Sequence, residues 1–185
     1  MVKDALHEAE DRMRGAVRSL EDNLATVRTG RASPTLVEKL MVDYYDTPTP
    51  LMQLATISAP EPRLLTIKPF DATAIKTIEK AILASDLGLN PSNDGKLIRL
   101  AIPALTEERR RELIKVVHHR LEDARVAVRN VRRDVHNDLR DFEKEKLISE
   151  DELKHGEADL QKLTDKYIEQ IEAMGKKKEE EIKRI

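Results

Sequence analysis

Apolar residues near the start of the chain fall at Val2, Leu6, Ala9, Met13, Val17, Leu20, Leu24 and Val27, in steps of three or four. That spacing predicts an amphipathic helix over residues 2–28, closed by Thr29-Gly30, where glycine offers a helix exit. Gly15 lies inside this helix and should weaken it by about 1 kcal/mol relative to alanine. A longer seam runs through Leu113, Val117, Leu121, Ala124, Val128, Val131, Val135, Leu139 and Phe142. It predicts a helix from 106 to 146, about 60 Å long at 1.5 Å per residue. Thr106 is placed to cap it, and Glu107 and Glu108 complement the helix dipole in the first turn. Ser149-Glu150-Asp151-Glu152 has the form of a capping box. It opens a third helix whose seam is Leu153, Gly156, Leu160, Leu163, Tyr167, Ile171 and Met174.

Between residues 31 and 105 the pattern changes. All eight prolines of the chain lie in this stretch. Strand-like runs span Leu36 to Tyr45, Leu51 to Ser58, Leu64 to Lys68 and Leu97 to Ile102, separated by turn chemistry at 46–50 and 59–62. One helix intervenes, with Asp71 as its cap, Ile75, Ile78 and Ile82 facing inward, and an end near Gly88.

A helix with one apolar stripe must hide it against a neighbour, and three such helices do so most economically as one bundle. The predicted architecture is an elongated antiparallel three-helix bundle built from residues 1–29 and 106–185. A small β-rich α+β domain with one helix, residues 30–105, is inserted into it. The chain crosses between them twice, with Gly30 on one crossing and Pro103 on the other, which suggests a constrained hinge.

The charge pattern adds a functional expectation. A second arc of the long helix collects Arg111, Lys115, His118, Glu122, Arg125, Arg129, Arg132, Arg133, His136 and Arg140. Seven permanent cations share that arc with one acid, so neutralisation within the face should be difficult. Guanidinium groups at helical spacing suit bidentate contact with phosphate oxygens. The arc therefore predicts a polyanion-binding helix.

Composition narrows the partner. The formal net charge is −2, so binding to nucleic acid must come from segregated charge. Aromatics make up only 3% and there is no Trp, which disfavours base stacking and points to folded RNA read by shape and backbone. With no Cys, disulfides, thiolate metal sites and cysteine nucleophiles are excluded. The pairs His118/Glu122 and His119/Asp123 have ligand-like spacing but read as surface pairs, so no metal site is expected. No Walker loop or Gly-x-Gly-x-x-Gly motif is present. Neither a cofactor nor an enzymatic activity is implied. No signal peptide or membrane span is visible, and the chain reads as cytoplasmic. Two other readings remain: a coiled-coil docking arm for protein, and the tRNA-binding arm of an enzyme.

Several segments carry a resemblance. Arg28-Thr-Gly-Arg-Ala-Ser-Pro34, Asp43-Tyr-Tyr-Asp-Thr-Pro-Thr-Pro-Leu51, Gln53-Leu-Ala55 and Ala84-Ser-Asp-Leu-Gly-Leu-Asn-Pro91 resemble the bacterial ribosome recycling factor family. So do Leu105-Thr-Glu-Glu-Arg-Arg110, the run 124–134 and Gln161-Lys-Leu-Thr-Asp165. The resemblance covers essentially the whole chain in order. One departure is Asp46, where the family usually has Gly. The resemblance implies an L-shaped, tRNA-like monomer that binds the 70S ribosome after termination and, with elongation factor G and GTP, splits it into subunits, releasing mRNA and tRNA. It implies contact between the bundle and 23S rRNA of the 50S subunit, in the A/P region, through Arg129, Arg132 and Arg133. Arg28, Arg31 and Arg125 are further candidates. Gly30, Arg31, Pro103, Ala104 and Leu105 match the family's hinge.

Overall fold

The computed structural model describes residues 1–184. In chain order the elements are α1 (Val2–Ala25), β1 (Met41–Tyr44), β2 (Thr47–Pro50), the single turn α2 (Leu51–Leu54), β3 (Ala55–Glu61) and β4 (Leu64–Pro69). Then follow α3 (Ile75–Ala84), β5 (Pro91–Asn93), β6 (Ile98–Ala101), α4 (Glu107–Lys144) and α5 (Glu150–Lys183). The chain divides into two compact units, one of residues 1–28 with 107–184 and one of residues 29–106.

The first unit is a bundle of α1, α4 and α5. Eight of the nine predicted seam residues of α4, Leu113 through Leu139, are buried. Phe142 is half-buried. Interhelical bonds fix the directions: Arg12 meets Asp134, Arg125 meets Glu172 and Tyr167 meets Glu10. Helix α4 is thus antiparallel to both partners, and α1 runs parallel to α5. The buried stripe of α5 is Gly156, Leu160, Thr164, Tyr167, Ile171, Gly175 and Ile182. Thr164 and Gly175 take the interior places expected for Leu163 and Met174, both of which are half-buried. Gly175 does so because α4 comes close: a Cβ there would lie 2.3 Å from Leu121 Cδ1. Thr164 hides its hydroxyl by donating to the Leu160 carbonyl at 2.8 Å.

The turn between α4 and α5 is sharp. Lys146 adopts a left-handed φ of 56°, while Leu147 N–H donates to the Phe142 carbonyl and Lys146 N–H to that of Glu143, the Schellman pattern. Ser149 then opens α5 with the predicted capping box: its hydroxyl accepts from Glu152 N–H, and the Glu152 carboxylate accepts from Ser149 N–H.

The end of α1 differs from expectation. The helix stops at Ala25, and Thr26 remains right-handed, its hydroxyl donating to the Asn23 carbonyl at 2.7 Å. A β-branched residue that bonds its own backbone favours termination there. Gly30 has the left-handed φ of 75° that glycine permits, but five residues beyond the helix.

The second unit holds a four-stranded antiparallel sheet of order β3-β4-β6-β5 and a separate β1-β2 hairpin. Leu65, Ile67, Ile98 and Leu100 from the sheet and Ile78 and Ile82 from α3 are almost wholly buried in one core. Four strand assignments change. The stretch Leu36–Leu40 leads into β1 without being strand, Leu51–Leu54 is helical, and β2 and β5 are strands the pattern did not predict. Tyr45 and Asp46 form the two-residue hairpin loop with φ of 46° and 61°, the positive pair that a type I′ turn requires. Asp71 caps as expected, but it caps a 3-10 turn, Ala72–Ala74, that feeds into α3. Its carboxylate accepts from Thr73 N–H and from the hydroxyls of Thr73 and Tyr44, which together hold its pKa below the usual range.

Candidate nucleic-acid interface

Because the apolar seam of α4 is buried, the polar arc lying beside it is displayed along the bundle. Arg129, Arg132, Arg133 and Arg140 are exposed, whereas Arg125 is three-quarters covered. The fold puts the residues of the ladder on one helix without placing them in equivalent surroundings.

Arg125 is turned toward α5. Its Nε donates to Glu172 Oε1 at 2.6 Å and its Nη2 to Glu172 Oε2 at 3.2 Å, a bidentate pair, and its Nη1 reaches Glu122 Oε2 at 3.0 Å. The other oxygen of Glu122 accepts from Arg129 Nη2 at 2.6 Å. Hydrogen bonds from Arg125 hold both carboxylates below their usual pKa, and the bond to Glu172 raises that of Arg125. Two cations and two anions therefore form one closed, fully ionised network.

The expectation that the face would neutralise itself only with difficulty is corrected on this point. It counted only the acids of α4, while α5 supplies more. Glu179 meets His118, and Glu157 approaches His136 at 2.9 Å and Arg140 at 3.8 Å. Arg111 is joined to Glu107 at 3.7 Å on its own helix.

What remains open lies in the middle of the helix. Arg132 is exposed and has no hydrogen-bond or ion-pair partner among the described residues. Arg133 approaches Asp134 only at 4.0 Å, beyond hydrogen-bond reach, and Asp134 is already bonded to Arg12 at 3.1 Å. Arg132 and Arg133 can thus accept an anion without surrendering a hydrogen bond, Arg129 must share, and Arg125 is occupied.

The remaining candidates lie apart. Arg28 borders a cleft of about 280 Å³ with Thr26, Val27, Leu113, Val116, Arg109 and Arg120, on the α1 side of α4. Arg31 belongs to the second unit and is exposed there. Pro103 and Ala104 are exposed, and Leu105 packs against Gly30 so closely that a Cβ on the glycine would meet Leu105 Cγ at 2.8 Å. Among the described residues no cluster of three or more His, Asp or Glu side chains is arranged to hold a metal, and no helix is long and apolar enough to cross a membrane.

Sequence reasoning missed Glu172 as a partner of the ladder. A signal was present. Across an antiparallel hairpin, positions at similar distances from the turn lie opposite one another, and 125 with 172 and 118 with 179 are both symmetric about residues 148 and 149, at the end of the turn.

Comparison with known proteins agrees with this architecture. The family model described as "Ribosome recycling factor" matches residues 20–182. The ribosome-recycling factor of Carboxydothermus hydrogenoformans is 57% identical over 182 residues, covering 98% of each chain. That of Syntrophomonas wolfei is 56% identical over 185 residues, covering 100% of both. A solution structure of the ribosome recycling factor superposes with a TM-score of 0.73 at 46% identity, covering 100% of this chain and 98% of that one. A second match comes from models for the T. thermophilus ribosome recycling factor and the E. coli elongation factor G bound to the E. coli post-termination complex. The matching chain has a TM-score of 0.63 at 47% identity, with 98% of each chain covered.

Proposed function

The chain belongs to the ribosome recycling factor family, and from that premise we propose how it acts. It binds the post-termination 70S ribosome as a monomer, in the A/P region of the 50S subunit, with the exposed face of α4 against 23S rRNA. With elongation factor G and GTP it then splits the ribosome into subunits and frees mRNA and tRNA. The relative placed with elongation factor G on a post-termination complex in such models supports this choice of partners.

The observation that carries the RNA contact is the exposed, unpartnered Arg132, flanked by the weakly held Arg133 and the shared Arg129. Phosphate is the ligand such guanidinium groups suit, because their forked donors match its oxygens. Arg28 and Arg31 add positive charge nearer the crossings of the chain. Arg125 contributes by anchoring α4 to α5 more than by meeting RNA. The crossings themselves, Gly30 and Arg31 with Pro103, Ala104 and Leu105, act as the hinge. Gly30 supplies the left-handed turn there.

The test is subunit splitting. Post-termination ribosomes incubated with this protein, elongation factor G and GTP should separate into 50S and 30S particles in a sucrose gradient. A protein that binds ribosomes yet leaves them intact under these conditions would be a docking module without recycling activity.

A further inference from the structure

Glu122 is the one acid in the cationic arc of α4, and it is placed between two arginines. Its Oε2 accepts from Arg125, whose remaining donors Nε and Nη2 are taken by Glu172. Its Oε1 accepts from Arg129 Nη2 at 2.6 Å, and among the described residues no other carboxylate bonds Arg129. Both side chains of the Glu122–Arg129 pair are about half exposed, at 53% each, so the pair lies on the surface where an RNA backbone would approach.

We propose that Glu122 sets the affinity of the bundle for ribosomal RNA by competing with phosphate for Arg129. This rests on the RNA-binding reading of α4 given above. A guanidinium bonded to a carboxylate can meet phosphate in two ways. The carboxylate leaves, and one charge-assisted hydrogen bond is lost; or it stays, and its negative charge stands beside that of the phosphate. Either way, the Arg129 contact is worth less than the contact of the unpartnered Arg132. Differences between related complexes appear mainly in the dissociation rate. Glu122 therefore shortens the stay of the protein on the large subunit, which suits a factor that must leave after each round. Glu172 does not share this role, because it bonds Arg125, the most covered arginine of the ladder.

The test uses the full chain carrying Glu122→Gln, which keeps the shape of the side chain and removes its charge. Binding to purified 50S subunits is measured over a range of salt, with dissociation followed by competition. The variant should bind about two- to fivefold more tightly, through slower release and with a steeper salt dependence. The gain should vanish in an Arg129→Ala background. Glu169→Gln, which removes an acid from the solvent side of α5, should give none. Unchanged or weaker binding by Glu122→Gln overturns the inference. So does an equal gain with Arg129 absent or with Glu169→Gln, since net charge alone would then be responsible. Arg132→Ala on the same subunits separates the two readings. If it weakens binding while Glu122→Gln is neutral, only this inference fails; if it does not, the RNA-binding reading of α4 fails and carries the inference with it.

Discussion

Arg132 and Arg125 lie seven positions apart on one helix, and the structure assigns them opposite consequences when either is replaced by alanine. Arg132 is exposed and unpartnered, so its removal should leave bundle stability within about 0.5 kcal/mol of wild type. In the complex it should lose one charge-assisted contact, about 1.5–3 kcal/mol. That corresponds to a dissociation constant raised about ten- to 150-fold. The slope of log affinity against log salt should shrink by about one unit, as for one phosphate released. Arg125 is bonded to two carboxylates and only 25% exposed. Its removal leaves Glu172 without its cation and Glu122 with Arg129 alone. Partly exposed pairs are screened, so the expected cost to the bundle is about 1 kcal/mol. Its direct effect on binding should be small, because its donors are already taken by Glu172 and Glu122. Thermal melting followed at 222 nm and co-sedimentation with 50S subunits should thus rank the two variants in opposite order. The reasoning fails if Arg125→Ala weakens binding as much as Arg132→Ala while melting like wild type. It fails equally if Arg132→Ala destabilises the bundle.

Four further substitutions concern glycine and its absence. Gly15→Ala meets no atom within 4 Å and should stabilise the bundle by about 0.5–1 kcal/mol. Gly175→Ala forces Leu121 to move, and about 1–3 kcal/mol of overpacking should outweigh the same helical gain; denaturation midpoints that shift in the same direction would contradict the close approach of α4 and α5. Asp46→Gly relieves a left-handed residue in the β1-β2 loop and should stabilise the hairpin by about 0.5–1 kcal/mol. It should be read as slower amide exchange in β1 and β2, and faster exchange would refute it. Gly30→Val combines a left-handed φ with a Cβ 2.8 Å from Leu105 Cγ and should lower splitting activity more than 50S binding. Equal losses in the two assays would argue against a hinge at this position.

How legible each feature was depends on whether its cause lies within one element. The seam of α4 and the capping box at Ser149 follow from local spacing, and both appear in the structure as read. The β2 and β5 strands were hidden because Pro48, Pro50 and Pro91 read as turns. Each of these strands has only one neighbour in its sheet, the position where proline costs least. Leu51 and Leu54 looked like strand residues, but after Pro50 they complete a helical turn that buries both. Gly175 was passed over for Met174 because hydrophobicity favours the larger residue, whereas the spacing of two helices favours the smaller. The site divides in the same way. A helical wheel of α4 shows which arginines share a face, and it omits Glu157, Glu172 and Glu179 because those belong to α5. The difference between Arg125 and Arg132 therefore exists only once the helices are packed.

The claim that the exposed arginines of α4 lie against ribosomal RNA can be tested by position. The chain has no cysteine, so a single one can be introduced to carry a tethered hydroxyl-radical source. Asn137→Cys places the source on α4 one turn beyond Arg133, and Glu169→Cys places it on the solvent side of α5. In complexes with 50S subunits, radicals from position 137 should cleave 23S rRNA at a small, discrete set of nucleotides. Those cuts should fade when Arg132→Ala is added, and position 169 should give few. Strong cleavage from 169 with none from 137 would place the RNA on another face of the bundle and contradict the account.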